Sequence, residues 1–324
     1  MNYREIKKSN EFKTKIVLTF YLAMFLFIGL LGEVVFLTLS YNTSLIEALE
    51  YTVKAILTGE LIPWVIITMS SISLLIVFIT IKFGNKILLS GNEYIKLNDK
   101  ENLSSEEQQI LNIVEELKIS SRVRFMPEVY IIEADYMNAF ASGWNESNSM
   151  VAITRGLLDK LTRAEVAAVL AHEMAHVKNA DVKLTLVTGI LTNIMVYAVD
   201  FLFYFFRTSN SKAAQQAKLV LFILKIFLPI LTIVLQLYIS RKREFMADAG
   251  SVEFTGDKDS MISALKKISG DYEDNKEDYE EHSHNNNTRQ YAYFFGMNSG
   301  FFSNLFSTHP TIENRISSLE GSKR

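Results

Sequence analysis

The 324-residue chain contains no cysteine. That absence excludes disulfides, cysteine nucleophiles and thiolate metal sites, so any bound metal must rely on histidine and carboxylate ligands. A basic surplus is missing too: 33 Lys and Arg stand against 36 Asp and Glu, and a net charge of −3 offers no basic surface to nucleic acid. No internal repeat is visible. Histidine is scarce, with five copies: His172, His176, His282, His284 and His309. Apolar residues are plentiful, at 49% of a chain that is also 21% charged, and mean hydropathy is +0.14. That mixture points to apolar segments alternating with polar domains.

Ile16 to Leu39 is apolar except for Glu33 and follows an N-terminus carrying Arg4, Lys7, Lys8, Lys13 and Lys15. At about 1.5 Å per residue it can cross a hydrocarbon core about 30 Å thick. It is too long for a signal-peptide core and shows no clear small-residue cleavage site, so it reads as a retained anchor. Leu61 to Ile81, LIPWVIITMSSISLLIVFITI, has no charge in 21 residues and is the strongest transmembrane signal. Between the two runs Lys54 is the single base, against Glu47, Glu50 and Glu60. The positive-inside rule therefore places the N-terminus and the stretch from Lys82 in the cytoplasm.

Two later apolar runs, Leu184 to Phe206 and Leu219 to Ile239, contain Asp200 and Lys225. Both are long enough to span, but flanking charges disagree about their orientation, and charge inside a span is costly. They read as a helical hairpin, either transmembrane or buried in the soluble part. In such a hairpin Asp200 and Lys225 lie at one depth and can pair, with Glu33 at a similar depth; the alternative is that all three reach for the interface.

Residues 82 to 183 are polar and mixed. Glu128 to Ile132 and Asn138 to Ala141 read as short strands, and SMVAITRGLL as a strand entering a helix. Thr162, with Glu165 three residues on, is a capping-box start for the next helix. That helix carries LAHEMAHVKNAD, in which His172 and His176 lie about one turn apart and project from one face. Glu173 emerges beside His172, placed to take a proton from an attacking water. H-E-x-x-H on a helix is a zinc-peptidase pattern.

The third ligand separates the possible classes. A metzincin needs glycine and histidine where this chain has Asn179 and Val182. The flanks Glu165, Lys178, Asp181 and Lys183 are too polar for an intramembrane protease helix. A carboxylate from a later helix remains, and SRKREFMADAG, Ser240 to Gly250, is its best source. Glu244 has Asp248 one turn on, with Ala247, Ala249 and Gly250 small enough for close helix packing. Asp248 can then accept a hydrogen bond from a ligand histidine. The alternative for Glu244 is a solvated charge at the basic start of a helix. Asp271 to Gln290 is acidic and of low complexity and reads as a mobile loop, with His282 and His284 solvated in it.

HEMAH followed, after two apolar runs, by SRKREFMAD resembles the HtpX family of membrane zinc peptidases, related to the CAAX prenyl-protein proteases. The likeness covers most of the chain: two N-terminal spans, NAFASG, AITRGLL, VLAHEMAHVKNADV, SRKREFMADAG and a late THP. It implies a mainly α integral membrane protein with a small β-sheet and a zincin-like (gluzincin) catalytic domain. It implies one Zn2+ per chain held by His172, His176 and Glu244, with Glu173 as general base and Asp248 orienting a histidine. Asp181 would brace the motif helix. Asn138, Ala139, Phe140 and Ala141 would form the edge strand beside the cleft, where an extended substrate adds. His309 would donate to the oxyanion, with Arg315 nearby.

The expected organisation is an anchor with two transmembrane helices at 1–83, a first part of the peptidase domain at 84–183, the hydrophobic hairpin at 184–239, and a second part at 240–324 that includes the acidic loop 271–290. The expected function is a zinc endopeptidase of the cell or inner membrane, its termini and active site cytoplasmic. Its partners would be the lipid bilayer and protein or peptide substrates, with a role in quality control of misfolded or damaged membrane proteins. Rival readings are a narrow CAAX-type processing protease and an inactive zinc-binding membrane scaffold. Intact Glu173 and His309 weigh against the scaffold. The acidic segment 271–290 departs from the family pattern.

Overall fold

The computed structural model describes residues 3–41, 43–90, 93–184, 186–187, 199–200, 203–204, 215–216, 218–227, 242–276, 279 and 310–321. His282, His284 and His309 lie outside the described residues, as do most of the hairpin 184–239 and most of the acidic segment 271–290. The chain divides into two compact units. One comprises Met1–Thr14, Phe83–Gly189 and Gln236–Arg324; the other comprises Lys15–Lys82 and Ile190–Leu235.

The second unit is built on helices α1 (Tyr3–Tyr41), α2 (Leu45–Thr58) and α3 (Trp64–Leu89). Among the described residues two helices are long and apolar enough to cross a membrane, the Tyr3–Thr38 stretch of α1 and Trp64–Leu89. At 39 residues α1 is about 58 Å long, well beyond an apolar core of about 30 Å. Its first turns are counted with the other unit. Gly29 and Gly32 let α1 approach α3: a Cβ on Gly29 would stand 3.0 Å from Ile66 Cα, and one on Gly32 would stand 2.7 Å from Val65 Cγ1. Glu33 is buried there, and its Oε2 accepts from the backbone N–H of Val65 at 2.7 Å and of Ile66 at 3.4 Å. Those N–H groups open α3 and have no intrahelical partner, and the carboxylate also matches the positive end of the helix dipole. Among the described residues of 184–239, Lys225 Nζ stands 2.7 Å from Asp200 Oδ1, so those two charges do pair.

The first unit holds a four-stranded sheet of β1 (Tyr94–Lys96), β2 (Glu128–Ile132), β3 (Ala139–Gly143) and β4 (Ser149–Thr154) in the order β1-β2-β4-β3. β2 and β4 are parallel; the outer pairs are antiparallel. Register aligns Val129 with Val151, Ile131 with Ile153, and Ala141 with Val151. These alternate residues share one face and enter the hydrophobic core. The strand expected over Asn138 to Ala141 begins one residue later and runs on to Gly143. Asn138 instead hands its N–H to the Thr154 hydroxyl, 2.8 Å away, in place of a backbone carbonyl.

Helix α4 (Ser105–Ser121) packs on this core through Ile110, Ile113, Val114 and Leu117, the i, i+3, i+4, i+7 spacing of one face. The short α5 (Arg155–Lys160) follows β4 directly. Helix α6 (Arg163–Asn179) starts at Thr162, whose side chain caps the Glu165 N–H while Glu165 returns to the Thr162 N–H. Helix α6 is the centre of the unit and packs against α4, β3, α7 (Lys242–Thr255) and α8 (Lys258–Asp274). Helix α9 (Ile312–Gly321) closes on α7 and α8.

Candidate metal centre

Helix α6 presents His172 and His176 on one face, and their Nε2 atoms are 3.0 Å apart. Helix α7 approaches that face closely because Gly250 lies against Ala175; a Cβ on Gly250 would stand 2.8 Å from the Ala175 Cβ. Glu244, Ala247, Asp248 and Ser251 form the buried stripe of α7, at helical i, i+3, i+4, i+7 spacing. The Ser251 hydroxyl fixes the register by donating to the Ala168 carbonyl at 2.6 Å. This packing brings Glu244 Oε2 to 3.6 Å from His172 Nε2 and Glu244 Oε1 to 3.8 Å from His176 Nε2.

Each remaining ring nitrogen faces a carboxylate. His172 Nδ1 is 2.9 Å from Asp248 Oδ1, and His176 Nδ1 is 3.0 Å from Asp181 Oδ1. A carboxylate can only accept, so each Nδ1 carries a proton, and in a neutral ring that leaves the Nε2 lone pair for a metal held together with Glu244. Asp181 reaches His176 because Ala180 takes a left-handed φ of 56° at the end of α6 and folds the chain back. A non-glycine residue in that conformation costs on the order of 1 kcal/mol. Arg243 Nε braces the other side of Asp181 at 3.1 Å. Arg315, brought in by α9, grips Asp248 through Nη2 at 2.6 Å and Nε at 2.9 Å.

Apart from the half-buried Arg243, these groups are buried: His172 is 0% exposed, Glu173 2%, Glu244 3%, Asp248 1% and Arg315 1%. Burial pushes the Glu173 carboxyl up, and the two histidines and the Ala141 N–H only partly offset it. Burial alone would lower His176, but Asp181, then Glu244 and Glu173, outweigh it and raise its pKa to about 9. Burial would raise Asp248, yet Arg315 and His172 hold it down to about 2. Arg243 and His176 likewise keep Asp181 below the usual range against its burial.

The donor set fits a divalent metal. His172, His176 and Glu244 each offer one ligand atom within 4.8 Å of the others, and they are the described group of that kind. Tetrahedral ligands at 2.0–2.1 Å from one ion would sit about 3.3 Å apart, close to the 3.0, 3.6 and 3.8 Å seen here. The carboxylates of Glu173, Glu244 and Asp181 make the pocket favour a cation, as the raised His176 shows.

The structure thus gathers His172, Glu173, His176, Asp181, Glu244, Asp248 and Arg315 into one cluster, while His309 lies outside the described residues. Ala141 gives its backbone N–H to Glu173, so β3, the sheet edge, runs beside the cluster. Asn138 is buried just ahead of β3, and its side-chain oxygen accepts from the Ala139 N–H at 2.8 Å. Phe140 is buried as well. Two contributors were not read from the sequence. Arg243 had a visible signal, a base directly before the candidate ligand. Asn10 had none: it lies on α1, and its side chain donates at 3.0 Å to the carbonyl of Asn179, the last residue of α6.

Residues 104–323 match the family model described as Peptidase family M48. The chain is 42% identical over 320 residues to a "Protease HtpX homolog" of Helicobacter acinonychis, covering 98% of each chain. It is 34% identical over 252 residues to a "Protease HtpX homolog" of Dictyoglomus thermophilum, covering 76% of this chain and 80% of that one. A crystal structure of S. mikatae Ste24p aligns at 18% identity with a TM-score of 0.46, covering 79% of this chain and 57% of that one.

Proposed function

Because the chain belongs to peptidase family M48, we propose that it is a zinc endopeptidase with His172, His176 and Glu244 as metal ligands and Glu173 as general base. It is a metallopeptidase, and its likeness to HtpX proteases over nearly its whole length makes it a membrane protease. The observation that carries the reading is the convergence of two Nε2 atoms and the Glu244 carboxylate in a buried pocket beside Glu173. Two histidines and a glutamate are a gluzincin ligand set.

When bound, zinc supplies a Lewis acid that acidifies water and polarises a peptide carbonyl. Glu173 takes the proton of the attacking water and passes it to the leaving amine. Asp248 and Asp181 hold the Nδ1 protons, which fixes the ring orientations and keeps both Nε2 lone pairs aimed inward. Arg315 keeps Asp248 ionised in its buried place. The residues from Asn138 to Ala141 lead into and line the edge strand, where a substrate adds in extended form. His309 donates to the oxyanion.

The peptidase unit and both termini face the cytoplasm, as the bases in the first turns of α1 and the last turns of α3 favour. The segments 1–83 and 184–239 form the membrane part, and 84–183 with 240–324 form the peptidase part. The substrates are misfolded or damaged membrane proteins, in keeping with a cytoplasmic cleft carried on an integral anchor.

A zinc titration of metal-stripped protein in detergent tests the ligand set. Glu244→Ala should lose more than the roughly 10- to 100-fold in affinity that removing an outer hydrogen-bond partner costs. Undiminished affinity in that variant would sink the assignment.

A further inference from the structure

Helix α2 lies between the two candidate membrane helices and has three distinct faces. Ala48, Thr52 and Ala55, at i, i+4, i+7, are buried within its own unit. Glu47, Glu50, Lys54 and Thr58 form a polar strip. The third face is apolar and open: Ile46 is 71% exposed, Leu49 42%, Val53 42% and Leu57 83%. With Ser44 and Glu47 forming a capping box at its start and Gly59 at φ 75° closing its end, α2 cannot lengthen into either neighbour. Its 14 residues measure about 21 Å, too short for a core of about 30 Å.

The same unit exposes large apolar side chains on its other two helices as well. Leu26, Phe27 and Phe36 of α1 and Leu74, Leu75 and Phe78 of α3 are all more than 40% exposed. The boundary at the α2 end is marked by aromatics with a polar edge: Tyr41 closes α1, Trp64 opens α3, and both are exposed, at 70% and 65%. Tyrosine and tryptophan collect at the lipid headgroup level. Three acids stand against Lys54 between residues 43 and 63, so attraction to anionic lipid does not drive adsorption; apolar burial does.

We infer that α2 is an interfacial helix that lies in the plane of the bilayer surface, its Ile46, Leu49, Val53 and Leu57 face set among the acyl chains of a phospholipid leaflet. The inference rests on the reading of α1 and α3 as membrane-spanning. Glu47, Glu50 and Lys54 then face water, and α2 fixes the depth at which the chain turns between α1 and α3.

The test uses the full chain in phosphatidylcholine vesicles, with both native tryptophans replaced as Trp64→Phe and Trp144→Phe. Single reporters are introduced as Leu57→Trp, Ile46→Trp, Lys54→Trp and, in the middle of α3, Leu74→Trp. Leu57→Trp and Ile46→Trp should lose roughly half their emission to lipid brominated near the headgroup and little to aqueous iodide, and Lys54→Trp the reverse. The quenching should not change when anionic lipid is added. The inference fails if Leu57→Trp and Ile46→Trp respond to iodide as Lys54→Trp does while Leu74→Trp responds to deeply brominated lipid. Shielding of both α2 reporters from both quenchers would place a second copy or another protein on the face, and also overturns it. Loss of lipid quenching at Leu74→Trp overturns the membrane-spanning reading itself, and the inference with it.

Discussion

Arg315 holds Asp248 in a two-point grip, Nη2 at 2.6 Å and Nε at 2.9 Å, with both side chains almost fully buried. Asp248 in turn faces His172 Nδ1 at 2.9 Å. A residue of the last described helix therefore sets the orientation of a histidine 143 positions earlier. Arg315→Lys keeps the charge but loses the planar fork. Zinc affinity should fall about 10-fold in Arg315→Lys and about 100-fold in Arg315→Ala, the range expected when a supporting partner of a ligand is lost. Competition with a chromophoric chelator measures both; equal affinity in all three proteins contradicts the chain of contacts.

Gly250 is required by the approach of α7 to α6, since a Cβ there would stand 2.8 Å from the Ala175 Cβ. Gly250→Val should push α7 outward, move Glu244 from the two histidines and lower zinc affinity at least about 10-fold, as a misplaced supporting element does. Adding Ala175→Gly to Gly250→Ala should recover most of what Gly250→Ala loses, because the two sites share one contact. Additive losses in that pair would show that the gap between the helices is not what limits the site.

Asn10 closes a hydrogen bond on the Asn179 carbonyl at the end of α6, two residues before Asp181. Asn10→Ala leaves that carbonyl buried without its donor, which costs about 1–3 kcal/mol. Amide exchange in the last turn of α6 should quicken accordingly, with the start of α6 unaffected. Unchanged protection there would mean that the first turns of α1 do not support the motif helix.

Glu165 ties the start of α6 to α8, accepting from Ser263 Oγ at 2.6 Å and Lys267 Nζ at 2.8 Å. Burial alone would raise its pKa, but Lys267, Ser263 and Thr162 hold it down to about 2, from 4.5. A depressed carboxyl contributes stability that is complete above its unfolded pKa and is lost as pH falls through the folded one. In chelator, so that metal loss plays no part, the stability gap between wild type and Glu165→Gln should be constant above about pH 5 and should shrink toward about pH 2. A gap that stays flat over that interval contradicts the ionised, hydrogen-bonded carboxylate.

Local signals were the most legible part of this chain. Thr162 and Glu165 announce the start of α6 because a capping box is contiguous in sequence, and β2 shows as a short run of β-branched and aromatic residues, buried from Val129 to Ile132. His172 and His176 share a face by helical period alone, and the small residues around Gly250 suggest the close contact with α6 seen in the fold. The sheet order was not readable, because β4 inserts between β2 and β3 through pairings that no local pattern encodes. Helix α2 was passed over as a loop, since its apolar residues are too few and too spaced to look like a span. Glu33 was read as seeking the interface or a charged partner; it caps α3 instead, because that helix begins in apolar surroundings with N–H groups to satisfy. The charged start of α1 was read only as a basic flank, yet Asn10 and Thr14 within it are buried in the fold.

The central claim is that Glu173 is the base of a zinc peptidase whose metal is held by other residues. Paired measurement of bound zinc and of cleavage of an unfolded protein substrate, on wild type and Glu173→Gln, tests it most directly. The account requires one zinc per chain in both proteins and cleavage reduced by about 10²–10⁴-fold in Glu173→Gln, the usual worth of a positioned acid–base group. Equal cleavage by two zinc-loaded proteins would contradict it.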